Sequence, residues 1–331
     1  MSEHTGVLVH CEVADGKLAS IAAELLGAGS RLAAELGQEL SAVVIGSDIG
    51  GAAKEAIACG AGKVYAVDDA ALKDYATEPY LAVMEKVVGQ AQPSIILLGQ
   101  TAAGRDLAPW LAFRLDTGAT MDCMALEIDT ATKRLLMTRP VYGGNAQAVQ
   151  SCETDPQIAS VRVKAMTPPE RDDSRQGEVI DIAAEVDTAS FKTKVLERKI
   201  EATTGIKLED ARVVVAGGRG IGSADGFKQL EELAGLLHGA VGATRPPCDA
   251  KFISDTRQIG ITGKIVSPDL YLAVALSGAS QHVSGFFSSK VIVAINKDPD
   301  ANIFKVAHYG IVADWKAALP AFTARLKEVA G

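Results

Sequence analysis

The first hundred residues alternate between two apolar periods. Gly6 to Val13 (GVLVHCEV) predicts a short buried strand, and Leu18 to Leu36 carries apolar residues at helical spacing. The alternation repeats with a strand over Ser41 to Gly46, a helix over Ala52 to Cys59 and a strand over Lys63 to Val67. A helix over Tyr80 to Val88 and a strand over Ser94 to Gly99 follow. Short β-rich runs separated by amphipathic helices predict βαβ units and a parallel sheet.

The pattern changes after Asp122. Met124–Asp129, Arg134–Pro140, Asn145–Gln150 and Gln157–Val163 read as consecutive short strands, expected as an antiparallel addition to the same sheet. Ala165 to Val179, with paired prolines and dense charge, reads as a linker or surface excursion. Ser190 to Arg198 alternates like a strand. A second α/β unit then starts, with a strand at Ala211–Gly217, a helix at Gly226–Leu237, and strands at Leu270–Leu276 and Lys290–Ile295. The fold class is α/β in two domains, each a mainly parallel sheet flanked by helices. The expected domains are 1–204, with a linker at about 165–204, and a doubly wound 205–331.

Composition narrows the function classes. At 331 residues, two domains is the ordinary expectation. Aromatics are only 5% while Ala and Gly are plentiful, which suits close helix-on-sheet packing. The net charge of −8 and the absence of a long Lys/Arg cluster disfavour nucleic acid. Five scattered cysteines with no C-x-x-C pair give neither a disulfide framework nor a metal site, and they fit a reducing compartment. No apolar run approaches a bilayer span, and the N-terminus lacks the basic start and apolar run of a secretory signal. The expected location is a bacterial or archaeal cytoplasm, with a mitochondrial matrix left open.

Candidate chemistry concentrates in the second domain. Val213 to Gly222 (VVVAGGRGIG) is a strand running into a glycine turn and a helix, where backbone amides suit a phosphate. It is not an NAD fingerprint. Gly218, Gly220 and Gly222 have the wrong spacing, and no acidic ribose hook follows about 20 residues on. Alone, the turn reads equally as a tight strand–helix connection. Thr244-Arg245 offers a hydroxyl and a fixed charge. Gln258-Ile-Gly-Ile-Thr-Gly-Lys264 offers an amide, a hydroxyl and backbone amides. Ser277, Gly278, Gln281 and His282 follow a buried strand, and Asn296-Lys297-Asp298 ends the next. Polar groups at successive strand ends mark the ligand crevice of open α/β sheets.

These motifs together resemble a family. Tyr271, Ala273, Ser277-Gly278, Gln281-His282, Gly285 and Ala294-Ile295-Asn296 look like the signature of electron-transfer flavoprotein α subunits. The GGRG at Gly217–Gly220, GATR at Gly242–Arg245, QIGITGK at Gln258–Lys264, NKDP at Asn296–Pro299 and YGIVAD at Tyr309–Asp314 occur in the family's order. The resemblance is dense from Ala211 onward. It is weaker over the first domain, where Gly104–Pro109 and Arg139–Asn145 are also similar.

The resemblance implies an extended FAD in the second domain. Gly217, Gly218 and Arg219 are expected near the flavin, with Arg245 against the ring. Thr244, Ser277, Gly278 and Ala279 are expected at the ribityl and pyrophosphate, and Asn296 and Asp314 towards the adenosine. Gln258, Ile259, Gly260, Thr262 and Gly263 form a loop at the ring, with Thr262 donating to N5. Gln281 and His282 lie at its other edge, His282 as a cation near N1 that favours an anionic semiquinone. Ile261 stands where the family commonly has Gln.

The resemblance also implies a β subunit paired with the first domain, holding AMP or a second FAD, and a mobile FAD domain pivoting in Ala165–Leu208. A donor flavin dehydrogenase, such as an acyl-CoA dehydrogenase, and a quinone reductase or other acceptor complete the chain. Three alternatives stay open. The first is an NADH-dependent electron-bifurcating complex, which Ser190–Ala211 resembles weakly. The second is an NAD-dependent enzyme on a deoxyhypusine-synthase-like nucleotide domain. The third is a nucleotide sensor resting on the Gly104–Arg105 turn.

Overall fold

The computed structural model describes residues 4–14, 16–186, 191–193, 195–197 and 205–330. The chain forms two compact units. One holds the described residues through Val141 and from Gln147 to Glu197. The other holds Tyr142–Ala146 with the described residues from Gly205 on.

The first unit runs β1 (Val7–Cys11), the short pair β2 (Val13–Ala14) and β3 (Lys17–Leu18), α1 (Ser20–Leu36), β4 (Leu40–Gly46), α2 (Gly50–Ala58), β5 (Lys63–Asp68), α3 (Thr77–Ala91), β6 (Ile95–Gly99) and α4 (Ala102–Arg114). Then come β7 (Ala119–Cys123), β8 (Ala125–Ile128), β9 (Leu135–Val141), β10 (Ala146–Gln150), β11 (Gln157–Val161) and β12 (Glu178–Asp181). Seven strands make one sheet in the order β12-β5-β4-β1-β6-β11-β7, paired in parallel throughout. Alternate residues of β1 feed opposite cores. Val7 and Val9 belong to the core that holds Leu25 of α1 and Ala53 of α2, while Leu8 belongs to the core that holds Met84 of α3 and Leu107 of α4. Burial on both faces explains why these strands read as continuous apolar runs.

Three differences from the sequence reading stand out. The strands after Asp122 do not extend the main sheet in antiparallel fashion. β8, β9 and β10 form a separate three-stranded sheet, with β8 and β9 antiparallel. β11 instead enters the main sheet between β6 and β7, because its all-buried QIASV needs apolar cover on both faces. The charged linker returns as β12, pairing with β5 at the sheet's edge. Of the expected strand over Ser190–Arg198, residues 191–193 and 195–197 are not in a strand, and the rest lies outside the described residues.

The second unit runs β13 (Val213–Gly217), α5 (Ala224–Leu236), β14 (Ala240–Ala243), α6 (Arg245–Asp249), β15 (Leu270–Val274), α7 (Ser280–Val283), β16 (Val291–Asn296), β17 (Tyr309–Val312) and α8 (Trp315–Ala330). Its parallel sheet has the order β14-β13-β15-β16-β17. One face is covered by α5 and α8 through Phe227, Leu230, Leu233, Trp315 and Leu319. The other is covered by shorter pieces that carry Ile259, Val266, Phe286 and Ile303. Those pieces supply much of the site.

Candidate functional site

After β13 the chain goes to β14 on one side, then crosses to β15 on the other. That reversal is the topological switch at which open α/β sheets bind ligands. A cavity of about 860 Å³ lies there, lined by residues that follow β13, β14, β15 and β16. Its volume is in the range of small-molecule and cofactor sites.

Glycines bring the loops together. A Cβ on Gly218 would lie 2.3 Å from the Ala275 carbonyl oxygen, so the turn after β13 packs directly on the turn after β15. A Cβ on Gly217 would strike Phe227 and Leu230 of α5. Neither glycine lines the cavity; both allow Arg219 and Gly220 to do so. Ser223 then caps α5, its hydroxyl accepting from the Gly226 amide at 3.2 Å.

After β14, Thr244 and Arg245 line the wall. Arg245 is largely exposed and its Nε reaches Asp249 at 3.3 Å, a weak surface pair. Gln258 to Lys264 closes on itself. The Lys264 amide donates to the Gln258 carbonyl at 2.8 Å, and Gln258 Nε2 donates to Thr262 Oγ1 at 2.9 Å. Gly263 serves that closure, since a Cβ there would lie 2.5 Å from the Gln258 carbonyl oxygen, and it does not line the cavity. Gln258, Ile259, Gly260 and Thr262 do, as does half-exposed Ile261.

After β15, Ser277, Ala279, Gln281 and His282 reach the cavity. Gly278 does not; its φ of +79° and close approach to Ile303 hold the turn. Asn296 Nδ2 donates to the Leu276 carbonyl at 2.8 Å while its Oδ1 accepts from the Asp298 amide at 3.0 Å. Asp314 stands outside the lining and works as a cap for α8, its carboxylate accepting from the Lys316 amide at 2.9 Å. Beyond β16 the cavity is lined by Asp298, which the sequence placed at the strand end without a cofactor contact, and by Asp300 and Asn302, which sequence reasoning missed. The signal was the N-K-D-P-D run at Asn296–Asp300, whose Asx turns project carboxylates beyond a strand end. The lining thus has arginines over β13 and β14 and carboxylates over β16, at separated positions along the sheet.

His282 departs from expectation. Its Nδ1 is 2.8 Å from the Ile259 carbonyl oxygen and its Nε2 is 2.9 Å from the Tyr271 hydroxyl. Burial is the main influence and pushes its pKa down to about 4, against a smaller opposite effect of the Ile259 carbonyl. The ring is therefore neutral near pH 7. Burial thus favours a neutral imidazole where a cation was expected, and both ring nitrogens are engaged inside the protein.

Comparison with known proteins agrees along the chain. Residues 7–187 match the electron transfer flavoprotein domain, and residues 207–287 match the electron transfer flavoprotein FAD-binding domain. The chain is 43% identical over 330 residues to the electron transfer flavoprotein subunit alpha of Thermoanaerobacterium thermosaccharolyticum, covering 99% of this chain and 100% of that protein. It is 44% identical over 334 residues to the subunit of that name from Megasphaera elsdenii, covering 100% and 99%. It is also 37% identical over 320 residues to the lactate dehydrogenase (NAD(+),ferredoxin) subunit LctC of Acetobacterium woodii, covering 96% of this chain and 76% of that protein.

Proposed function

The chain belongs to the electron transfer flavoprotein α-subunit family, and from that premise we propose that it carries one FAD in the switch-point cavity and shuttles electrons between a donor flavin dehydrogenase and a separate acceptor. The observation that carries this reading is the convergence of four strand-end loops, each bearing one of the family-like motifs, on a single cavity.

The lining fits an extended dinucleotide. Arg219 and Arg245 offer fixed positive charge for phosphates and an electron-rich ring. Thr244 and Ser277 offer hydroxyls to the pyrophosphate and ribityl portion, and Gln258, Thr262 and Gln281 offer polar contacts at the ring. Asn296, Asp298 and Asp300 offer acceptors for ribose hydroxyls. When bound, the flavin supplies the redox chemistry, and the protein sets orientation and electrostatics. The two arginines favour added electron density, and the neutral, buried His282 presents a wall of fixed shape that excludes water. Gly217, Gly218, Gly263 and Gly278 act by shaping the loops. Asp314 acts through the start of α8.

We further propose that the first unit pairs with a β subunit that holds AMP. A second reading has one specific support, the similarity to a subunit of an NAD(+)- and ferredoxin-dependent lactate dehydrogenase. In that reading the β subunit carries a second FAD and the complex bifurcates electrons from NADH. Co-expression with the β subunit, followed by a visible spectrum and analysis of released nucleotides, separates these readings. One FAD and one AMP per pair is the expected result. Two FAD and no AMP selects bifurcation. No flavin, even after incubation with FAD, overturns the proposal.

A further inference from the structure

Tyr271 sits on β15, the central strand of the second sheet, paired to Val214 of β13 and Ile292 of β16. It is fully buried and does not line the cavity. Its ring stacks on Phe286 with centroids 3.9 Å apart and planes 4° from parallel. Its hydroxyl nonetheless reaches the one histidine of the cavity wall.

The bonding pattern determines where the protons are. A carbonyl oxygen only accepts, so the 2.8 Å contact with Ile259 places the imidazole proton on Nδ1. In the neutral ring Nε2 is then an acceptor, and the Tyr271 hydroxyl, 2.9 Å away, donates to it. Burial acts the same way on both groups, holding the imidazole neutral and the phenol protonated.

Two glycines make the contact with Ile259 possible. A Cβ on Gly285 would lie 2.5 Å from the Gly260 amide nitrogen, and one on Gly260 would lie 2.7 Å from the Gln281 carbonyl oxygen. The Gln258–Lys264 loop therefore lies directly against α7, bringing the Ile259 carbonyl to the ring. His282 is gripped from two sides: by a rigid strand through Tyr271 and by a glycine-packed loop through Ile259.

We infer that Tyr271 is a positioning residue: its hydroxyl, with the Ile259 carbonyl, locks His282 in one rotamer and in the Nδ1–H tautomer. The inference deepens the FAD reading of the same cavity, because it assigns the state of the imidazole that faces the bound group. A proton added to His282 enters only at Nε2, where the Tyr271 hydroxyl turns from donor to acceptor. A fixed neutral partner of this kind keeps the ring from drifting as charge changes in the cavity.

The test uses the full chain purified with its β subunit and labelled with ¹⁵N-histidine. The chain has five histidines, and His282→Asn assigns the His282 signals by their loss. Long-range ¹H–¹⁵N correlation at neutral pH is expected to give a protonated Nδ1 and a pyridine-type, hydrogen-bonded Nε2. Tyr271→Phe keeps the stack on Phe286 and removes only the hydroxyl. It is expected to move the Nε2 resonance towards that of an unbonded nitrogen, leave Nδ1 in place and shift the flavin midpoint potential. Phe286→Leu, which keeps the hydroxyl, is expected to leave Nε2 where it is.

A proton on Nε2 in the unmodified chain overturns the inference, and this decides the matter even if Tyr271→Phe fails to fold. An unmoved Nε2 in Tyr271→Phe overturns it too, as does an equal shift in Phe286→Leu. FAD content measured on the same samples keeps the two claims apart. The expected tautomer without flavin leaves the positioning role standing and removes the cofactor reading; flavin with the other tautomer does the reverse.

Discussion

Both units end their parallel strands in loops, which surround a cavity in the second and are tied to one another by side chains in the first. In the first, Glu12 follows β1 and its carboxyl accepts from the Thr101 hydroxyl at 2.6 Å. That hydroxyl in turn accepts from the Gly104 amide at 3.0 Å, capping α4. A Cβ on Gly104 would lie 1.9 Å from the Gly99 carbonyl oxygen, so α4 starts hard against the end of β6. The chain's own acid stands at the helix start, where a ligand's phosphate stands in nucleotide-binding relatives of the architecture. In the second unit the equivalent turns are separated by about 860 Å³ of space. Shared architecture does not make a shared site; a few side chains decide which crevice is filled from within.

The comparison can be broken from either side. The largest effect is expected from Gly278→Val. Its φ of +79° and a Cβ 2.3 Å from the Ile303 amide nitrogen leave no room. Left-handed strain and overpacking together cost about 4 kcal/mol. Calorimetry should show the second unit's transition lowered and flavin retention lost, with the first unit's transition in place. A common drop of both transitions would count against treating the units separately.

Acid should act on both units almost equally. His10 on β1 and His282 are both buried, and burial lowers each pKa from 6.5 to about 4. Each ring is neutral when folded, whereas the unfolded chain takes up a proton below about 6.5. Stability therefore falls as pH drops from 6.5 and levels out below about 4, by about 3 kcal/mol for each histidine. The two differ in their bonding, since His10 Nδ1 has no hydrogen-bond partner and His282 has two. His10→Leu should flatten the acid limb of the first unit alone in denaturant titrations from pH 7 to 4.

Thr101→Ala removes the cap of α4 and the donor to Glu12, with an expected loss of about 2 kcal/mol confined to the first unit. Glu12→Gln should have the smallest effect. Burial, the larger influence, raises the Glu12 pKa against the Thr101 hydrogen bond. An acid whose folded pKa is raised destabilises the fold above its unfolded pKa of about 4.5, so the amide should be neutral or stabilising at pH 7, within about 1 kcal/mol. A large loss from Glu12→Gln in urea titration would mean that the negative charge itself holds the crevice closed.

Much of this was legible in the sequence, and the gaps have physical causes. The alternation of buried runs and amphipathic helices announced both parallel sheets. α4 escaped because Pro109 lies inside it and Trp110 and Phe113 are exposed, so its apolar residues do not fall on one face. β8 to β10 read as strands, but sheet membership depends on which faces find cover, and local pattern does not carry that. In the site, the polar residues at strand ends were visible one by one. The neutrality of His282 was not, because it depends on how deeply the fold buries the ring, and its partners are a carbonyl 23 residues away and a hydroxyl 11 residues away. Asp300 was passed over, and Asp298 given no cofactor contact, because a ribose hook was sought about 20 residues beyond the glycine turn, and these acids follow the unit's fourth strand.

The 1.9 Å approach at Gly104 also bears on how aligned relatives are to be interpreted. Wherever this turn is kept, glycine at 104 is compelled by the carbonyl beneath it, and drift to any other residue is barred. An unvarying glycine followed by a basic residue at a helix start would pass for the imprint of a lost nucleotide. Here close packing of two pieces of main chain is by itself enough to require it.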